Sequence, residues 1–368
     1  MSSNDSTRLD EAGTLIVGAG QAGLTVGHNL RERGLPFQIV DAADEIGAVW
    51  RRRWDSLRLF TAAQYDSLPG MDFPAAQDTY PGKDEVVDFL QAYAAEFELP
   101  VKLHARVTSL CKEDGGYLAE TDDAEFRAKN VVVATGPFQV PRMPAIADGL
   151  APEILQMHSV DYRSPGAIED GPVLVVGGGN TGFQIAKELS AGHQVHLAIG
   201  SRQTPLPQRL FGRDLFWFLE VTGLIRKSLE TRIGQRLSGR ETLIGSSPRA
   251  MRRRYGVTLH GRAMNAAGST VSFEDGTSVD PTTVIWATGF KPDYSWIEVP
   301  VIGKDGRPRH ERGVTDSPGL YFLGLSWQYT RGSALLGWIK DDAEYIAERI
   351  SSSTPALPTE PRAVARVN

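Results

Sequence analysis

A doubly wound α/β architecture, with two parallel-sheet domains and the second inserted into the first, is the fold class this 368-residue chain predicts. Three observations predict it: a glycine-rich turn at Gly18–Gly23, another of the same type at Gly177–Gly182, and a strand end reading Ala-Thr-Gly at both 134–136 and 287–289. Each glycine-rich turn follows an apolar run, Thr14-Leu15-Ile16-Val17 or Val173-Leu174-Val175-Val176, and each opens a helical pattern, 24–32 or 183–189. Strand, turn and helix in that order give weight to a GxGxxG pattern that would be weak alone. The first glycine makes the sharp turn, the second lets a diphosphate approach the backbone, and the third lets helix pack on strand. The diphosphate sits at a helix N-terminus, where unpaired N–H groups and the helix dipole favour negative charge. Two such Rossmann-like units predict two dinucleotides. The candidate contacts are Gly18, Gly20, Gln21, Ala22 and Gly23 in the first unit and Gly177, Gly179, Asn180, Thr181 and Gly182 in the second.

The residues beyond each turn suggest which dinucleotide it takes. After the first helix come Gly34, suited to a helix C-terminus, and the strand Phe37-Gln38-Ile39-Val40 ending in Asp41. An acidic residue about twenty residues past the glycines accepts hydrogen bonds from a ribose 2′-OH, which suits FAD or NAD. After the second helix come Gly192, the strand Val195–Ile199 and Gly200-Ser201-Arg202. A carboxylate there would repel a 2′-phosphate, whereas Ser201 and Arg202 can bind one; the second site reads as NADPH. The bland alternative is that Arg202 is a solvated surface arginine.

Composition excludes several classes. The length suits two domains, and a net charge of −6 gives no support for nucleic-acid binding. Residues 1–10 lack the apolar core of a signal peptide, and no apolar run is long enough to span a bilayer. Cys111 is the single cysteine, so a disulfide framework or CxxC redox pair is excluded, and a buried inert thiol is expected. The seven histidines form no metal-ligand pattern, and His193 and His196 are expected to be structural. A cytoplasmic enzyme is the expectation.

Along the chain, 83–97 has the apolar face of a helix, and strands are expected at 106–110, 117–121 and 131–134. The strand ending at Thr135 and Gly136 is broken by Pro137, Pro141 and Pro144, which marks an exit from one domain; the copy ending at Gly289 marks the return. The expected division is 1–160 for the first part of the FAD domain, 161–285 for the NADPH domain, and 286–350 for the FAD-domain return. The tail, 351–368, is rich in Ser, Thr and Pro and is expected to be disordered. Within the NADPH domain, 206–254 exceeds what the nucleotide unit needs. It begins densely apolar and ends in Arg252-Arg253-Arg254, and reads as a helical insertion: a substrate cap or a homodimer contact.

These residues resemble the class B flavoprotein monooxygenases, the flavin-containing monooxygenase group with its YUCCA-like and bacterial relatives, from about Thr14 to Ile350. The resemblance rests on both fingerprints, the Trp50–Trp54 stretch, both Ala-Thr-Gly crossovers, and His158 with Tyr162 from the linker signature FxGxxxHxxxF/Y. Pro152 and Ile154 replace that signature's Phe and Gly. The resemblance implies that NADPH reduces FAD and that a C4a-(hydro)peroxyflavin oxygenates a small soft-nucleophile or carbonyl substrate with O2. Retained NADP⁺ would shield the adduct, and no side-chain nucleophile is required.

It further implies Trp50 and Arg51 along the FAD, Gln64 near the flavin–nicotinamide junction, and Val107, Thr135, Gly136 and Gly289 among the cofactor contacts. Ser333 and Leu335 would lie where a helix N-terminus faces the flavin pyrimidine, and Trp327 would line the substrate cavity. Gln64 and Trp327 are the candidate catalytic residues. Many relatives carry an asparagine near Thr61 that this chain lacks, which favours an alternative in which an NADPH oxidase or reductase releases hydrogen peroxide. A non-enzymatic flavin-binding partner of a transporter is a further reading.

Overall fold

The Val- and Ile-rich runs are apolar on both faces, and that pattern belongs to strands covered by helices on either side. In the computed structural model, which describes residues 7–8, 13–238 and 242–353, they form two five-stranded parallel sheets. The first has the strand order Leu320–Phe322, Asn130–Val133, Thr14–Val17, Phe37–Val40, Val101–Lys102. The second has the order Leu155–His158, Thr283–Trp286, Pro172–Val176, Gln194–Ala198, Thr258–His260. In both, the strand entering the glycine turn is central, flanked by the strand ending in Ala-Thr-Gly.

The helices are α1 (Gln21–Glu32), α2 (Ala48–Arg51), α3 (Lys83–Glu96), α4 (Asn180–Leu189), α5 (Leu215–Val221), α6 (Arg232–Ser238), α7 (Pro248–Arg254) and α8 (Ile339–Ser353). One face of the first sheet packs with α1, α3 and α8 around Ile16, Leu24, Phe89, Tyr93, Val132 and Ile346. The other face takes an antiparallel meander, Val107–Glu113, Gly116–Thr121 and Glu125–Ala128, through Val107, Leu110 and Phe126. The second sheet repeats the scheme. It has α4 and α7 on one face, and a meander of Ala263–Ala267, Thr270–Phe273 and Ser278–Val279 on the other.

The chain passes between the sheets on adjacent legs, where Val140 and Pro141 pair antiparallel with Lys291 and Phe290. Segment 206–254 is not purely helical. It holds α5, α6 and α7, a short hairpin of Arg209–Leu210 with Arg213–Asp214, and the strand Thr242–Ile244 paired to Thr204–Leu206. Its apolar residues fold inward: Leu215, Phe216 and Ile225 are buried against Trp338, Phe60 and Tyr65 of the first sheet's side. Asp214 caps α5 through the Phe216 N–H and accepts from the Tyr80 hydroxyl at 2.8 Å, tying the insertion to the loop before α3.

Two expectations need correction. Helix α8 continues through Ser353, three residues into the segment expected to be disordered, because Ile346, Ala347 and Ile350 keep its apolar stripe in the core; 354–368 lie outside the described residues. Cys111 is half-buried on its strand, not buried, although partial burial still pushes its thiol pKa up.

Candidate functional site

Each glycine turn is built by backbone crowding. Gly18 has φ +114° and Gly177 φ +142°, values that side chains rarely allow. A Cβ on Gly18 would meet the Ala134 carbonyl oxygen at 2.5 Å, and one on Gly177 would meet that of Ala287 at 2.1 Å. Thus each turn nests against its own Ala-Thr-Gly strand end. A Cβ on Gly23 would lie 1.8 Å from the Gly18 carbonyl oxygen, and one on Gly182 would lie 2.1 Å from that of Gly177, so both helices pack closely on their turns. Neither Gly20 nor Gly179, the residues preceding α1 and α4, caps its helix through a side chain. The first N–H groups of both helices therefore remain available to an anion. Around Gly20 a Cβ would find nothing within 4 Å, which leaves a cradle open to a ligand.

The first turn and the start of α4 line one cavity of about 310 Å³, whereas Gly177, Gly179 and Gly182 stand behind its wall. Gly18, Gly20, Gln21, Ala22 and Asp41 line it from the first unit, with Trp50, Thr135, Gly136 and Leu335. Asn180, Thr181 and Gln184 line it from the second. The remaining wall is largely apolar, including Leu57, Leu59, Phe60 and Leu336. Asp41 Oδ2 accepts from the Ala19 N–H at 2.6 Å and Oδ1 from the Ala43 N–H at 2.8 Å, fixing the carboxylate at the strand end. Trp50 Nε1 donates to Gln21 Oε1 at 3.1 Å, joining α2 to the start of α1. The Asn180 carboxamide donates to the Thr242 carbonyl at 3.0 Å and accepts from the Ile244 N–H at 2.9 Å, so its polar atoms anchor the insertion to α4.

Other candidates lie apart from this cavity. Arg51 points away into a carboxylate cluster of Glu45, Asp84 and Asp88, and its hydrogen bonds to Glu45 and Asp84 raise its pKa. Gln64 is locked to Asp78, donating to its side chain at 3.1 Å and accepting its N–H at 2.8 Å. Val107, the first residue of the meander, is buried in the core between the meander and the first sheet. Trp327 is half-buried outside the cavity wall with φ +57°. Ser333 is buried, its hydroxyl accepting from the Tyr329 and Thr330 N–H groups, and it shapes the turn rather than facing the cavity. Gly289 holds a crossover leg, its carbonyl accepting from Arg142 N–H at 3.0 Å. Ser201 and Arg202 are exposed past the C-terminal end of the strand Gln194–Ala198, where Arg262 Nη2 donates to the Gly200 carbonyl at 2.6 Å.

The sequence did not single out Arg53, nor the bonding roles of Thr61 and His158. Arg53, not Arg51, faces the cavity. It lies three residues after Trp50, a spacing that places both on one side of a helical turn and could have distinguished it within the arginine run. Burial pushes its pKa down to about 10, so it stays a cation at neutral pH. Thr61 lines the cavity and donates to Asp66 Oδ1 at 2.5 Å; Asp66 is fully buried, and desolvation pushes its carboxyl up to about 7. His158 accepts the Val160 N–H at Nδ1, so Nε2 carries the proton and donates to the Gly289 carbonyl at 3.0 Å. Burial lowers its pKa, and it ties the end of the strand Leu155–His158 to the returning crossover leg. His196 pairs with His260 at 2.9 Å, a structural contact; among the described residues no cluster suits a metal ion. Among them also, no helix is long and apolar enough to cross a membrane.

Known proteins match this arrangement. Residues 15–209 match the family described as pyridine nucleotide-disulphide oxidoreductase. The chain is 42% identical to a Geobacillus kaustophilus protein named uncharacterized oxidoreductase CzcO-like, over 91% of this chain and 97% of that one. It is 28% identical to the probable indole-3-pyruvate monooxygenase YUCCA8 of Arabidopsis thaliana, over 92% and 89% of the two chains. The solved flavin-containing monooxygenase of Stenotrophomonas maltophilia superposes with a TM-score of 0.78 at 26% identity, covering 92% of this chain and 98% of that one.

Proposed function

The chain belongs to the pyridine nucleotide-disulphide oxidoreductase family, in its class B flavoprotein monooxygenase group, and from that membership we propose that it oxygenates a small apolar substrate at the expense of NADPH. It is an oxidoreductase whose cofactors are FAD and NADPH. One observation carries the reading: the first glycine turn and the start of α4 line a single cavity, so dinucleotides bound at the two units would share it. The residues fit both groups, with open N–H donors at α1 and α4, a fixed carboxylate at Asp41, and Ser201 with Arg202 beyond the second strand. When bound, FAD supplies the redox chemistry, accepting a hydride from NADPH and activating O2.

The protein's part is binding, orientation and exclusion of water. On this reading α1 and α4 hold the two diphosphates, and Trp50 with Gln21 keeps the first helix start in register. The insertion, anchored through Asn180 and through Phe216 on Trp338, packs behind Phe60 and backs the cavity wall from outside. Thr61 Oγ1 and the Asp66 carboxyl behind it form a pair that can hold a proton beside the cavity near neutral pH. The wall of Leu57, Leu59, Phe60 and Leu336 suits an apolar sulfide, amine or ketone. Disulfide reduction is disfavoured because the single cysteine, Cys111, sits on the meander remote from that wall.

A second reading, release of hydrogen peroxide without oxygenation, is favoured by the lack, between Leu59 and Ala63, of the asparagine that the family resemblance implies near Thr61. One experiment separates them: NADPH consumption and peroxide yield, followed with and without a panel of sulfides, amines and ketones. A substrate that lowers peroxide per NADPH while an oxygenated product accumulates supports the monooxygenase. Stoichiometric peroxide with every compound supports the oxidase.

A further inference from the structure

Arg53 is a charge without a partner inside the cavity wall. It is 8% exposed, and among the described residues no carboxylate lies within ion-pair distance and no acceptor takes a hydrogen bond from its guanidinium. Phenyl rings hold it in place: its guanidinium carbon lies 4.8 Å from the Phe138 ring centre and 5.2 Å from that of Phe290. Those aromatic contacts offset only part of the cost of removing a guanidinium from water. The contrast with its neighbour is direct, since Arg51, two residues earlier, meets three carboxylates at the surface. The other positive features of the cavity are Arg58, already paired with Glu85 at 3.1 Å, and the N-terminal ends of α1 and α4, which belong to the glycine turns; none of them accounts for Arg53.

We propose that Arg53 is an oxyanion-binding residue, taking a carboxylate or phosphate group in the cavity beside Phe138 and Phe290. A guanidinium presents a planar fork of donors that matches both anions, and the rings fix that fork in the cavity wall. The inference rests on the reading of this cavity as the cofactor and substrate site. Two sources supply the chemistry: a phosphate of a bound dinucleotide, or a carboxylate of the compound to be oxygenated. A carboxylate would make the substrate an amphipathic acid, its apolar body against Leu57, Leu59 and Phe60.

The test uses the full-length, flavin-loaded protein with Arg53→Met, Arg53→Gln and Arg53→Lys. Probes are NADP⁺, inorganic phosphate and benzoate, titrated by flavin absorbance and by thermal unfolding, with flavin content measured after desalting. A loss of ~10-fold or more in NADP⁺ or phosphate affinity, or of bound flavin, in the Met variant identifies the phosphate source. An equal loss for benzoate with the cofactors unchanged identifies the carboxylate source. The Lys variant should lie between, keeping the charge without the fork. Wild-type constants for every probe and wild-type flavin content in the Met variant would overturn the inference, and the Gln variant answers the same question where the Met variant is not recovered. Bleaching of the flavin by NADPH is scored separately. Its absence in the wild type sinks the proposed function alone, whereas normal bleaching with an indifferent Arg53 sinks only the anion site.

Discussion

The two nucleotide units use one backbone solution and different chemistry at the same place. In each, the first glycine donates its N–H to the neighbouring strand end, Gly18 to Val40 at 2.7 Å and Gly177 to Ala198 at 3.0 Å. The next residue is therefore equivalent in the two sheets: Asp41 in the first, Ile199 in the second. Asp41 gathers two N–H groups and offers a carboxylate to the cavity, whereas the second unit continues through Gly200 to Ser201, Arg202 and the crossing Arg262. Shared glycines set where a diphosphate can go, and the strand-end residue sets which ribose is accepted.

The sharpest way to break this comparison is to overfill one turn at a time. Gly23→Ala should yield protein without flavin, because its Cβ would lie 1.8 Å from the Gly18 carbonyl oxygen. Gly182→Ala should retain flavin yet raise the NADPH dissociation constant ~100-fold or more, a loss of about 2.7 kcal/mol. Flavin absorbance and anaerobic NADPH titration read both; flavin retained by Gly23→Ala would disprove the packing account.

The insertion belongs to the second unit alone. Phe216→Ala, removing its buried anchor on Trp338 and Phe60, should cost about 3–5 kcal/mol of stability in denaturant unfolding. It should also raise peroxide per NADPH by loosening Phe60 in the cavity wall; unchanged stability would mean the insertion does not depend on this contact. At the strand end, Arg202→Ala should weaken NADPH ~10-fold or more while NADH changes less than about twofold. Equal losses would sink the 2′-phosphate assignment.

The smallest expected effect tests the first unit's side of the cavity. The Asp66 carboxyl is raised to about 7 by burial, with Thr61 donating to it and the Asp214 carboxylate opposing its ionisation. Folded protein thus holds this proton more tightly than unfolded protein. The associated stability is complete below the ordinary carboxyl pKa of 3.8 and is lost as pH rises through about 7. Asp66→Asn should remove that decline, narrowing the stability difference between pH 5 and pH 8 by on the order of 1 kcal/mol. Parallel pH profiles for wild type and variant would refute the raised pKa.

Much of the architecture was legible because its determinants are local. Positive φ at Gly18 and Gly177 requires glycine, and the runs flanking them alternate strand and helix periodicity within some twenty residues. The site was less legible because its parts meet from distant segments. Nothing in the order of Arg51, Arg52 and Arg53 states that Phe138 and Phe290 enclose the third, or that Asp84 claims the first. The pairing of Gln64 with Asp78 was illegible for the same reason, since 14 residues separate them. Phe216 and Trp338 are 122 residues apart in number and 5.3 Å apart between ring centres, a contact that no periodicity announces.

The paired crossover legs have a mechanical consequence. A single tether would let one sheet swivel about the chain in any sense. Here Phe290–Lys291 and Val140–Pro141 run side by side, with the Arg142 N–H bonded to the Gly289 carbonyl and the Asp293 N–H to Gln139 Oε1. Two bonded legs resist torsion as a ladder does, while bending across the ladder stays comparatively soft. Any opening between the sheets is therefore guided towards a single hinge-like coordinate, so the facing ends of the two nucleotide sites would return to the same alignment on each closure.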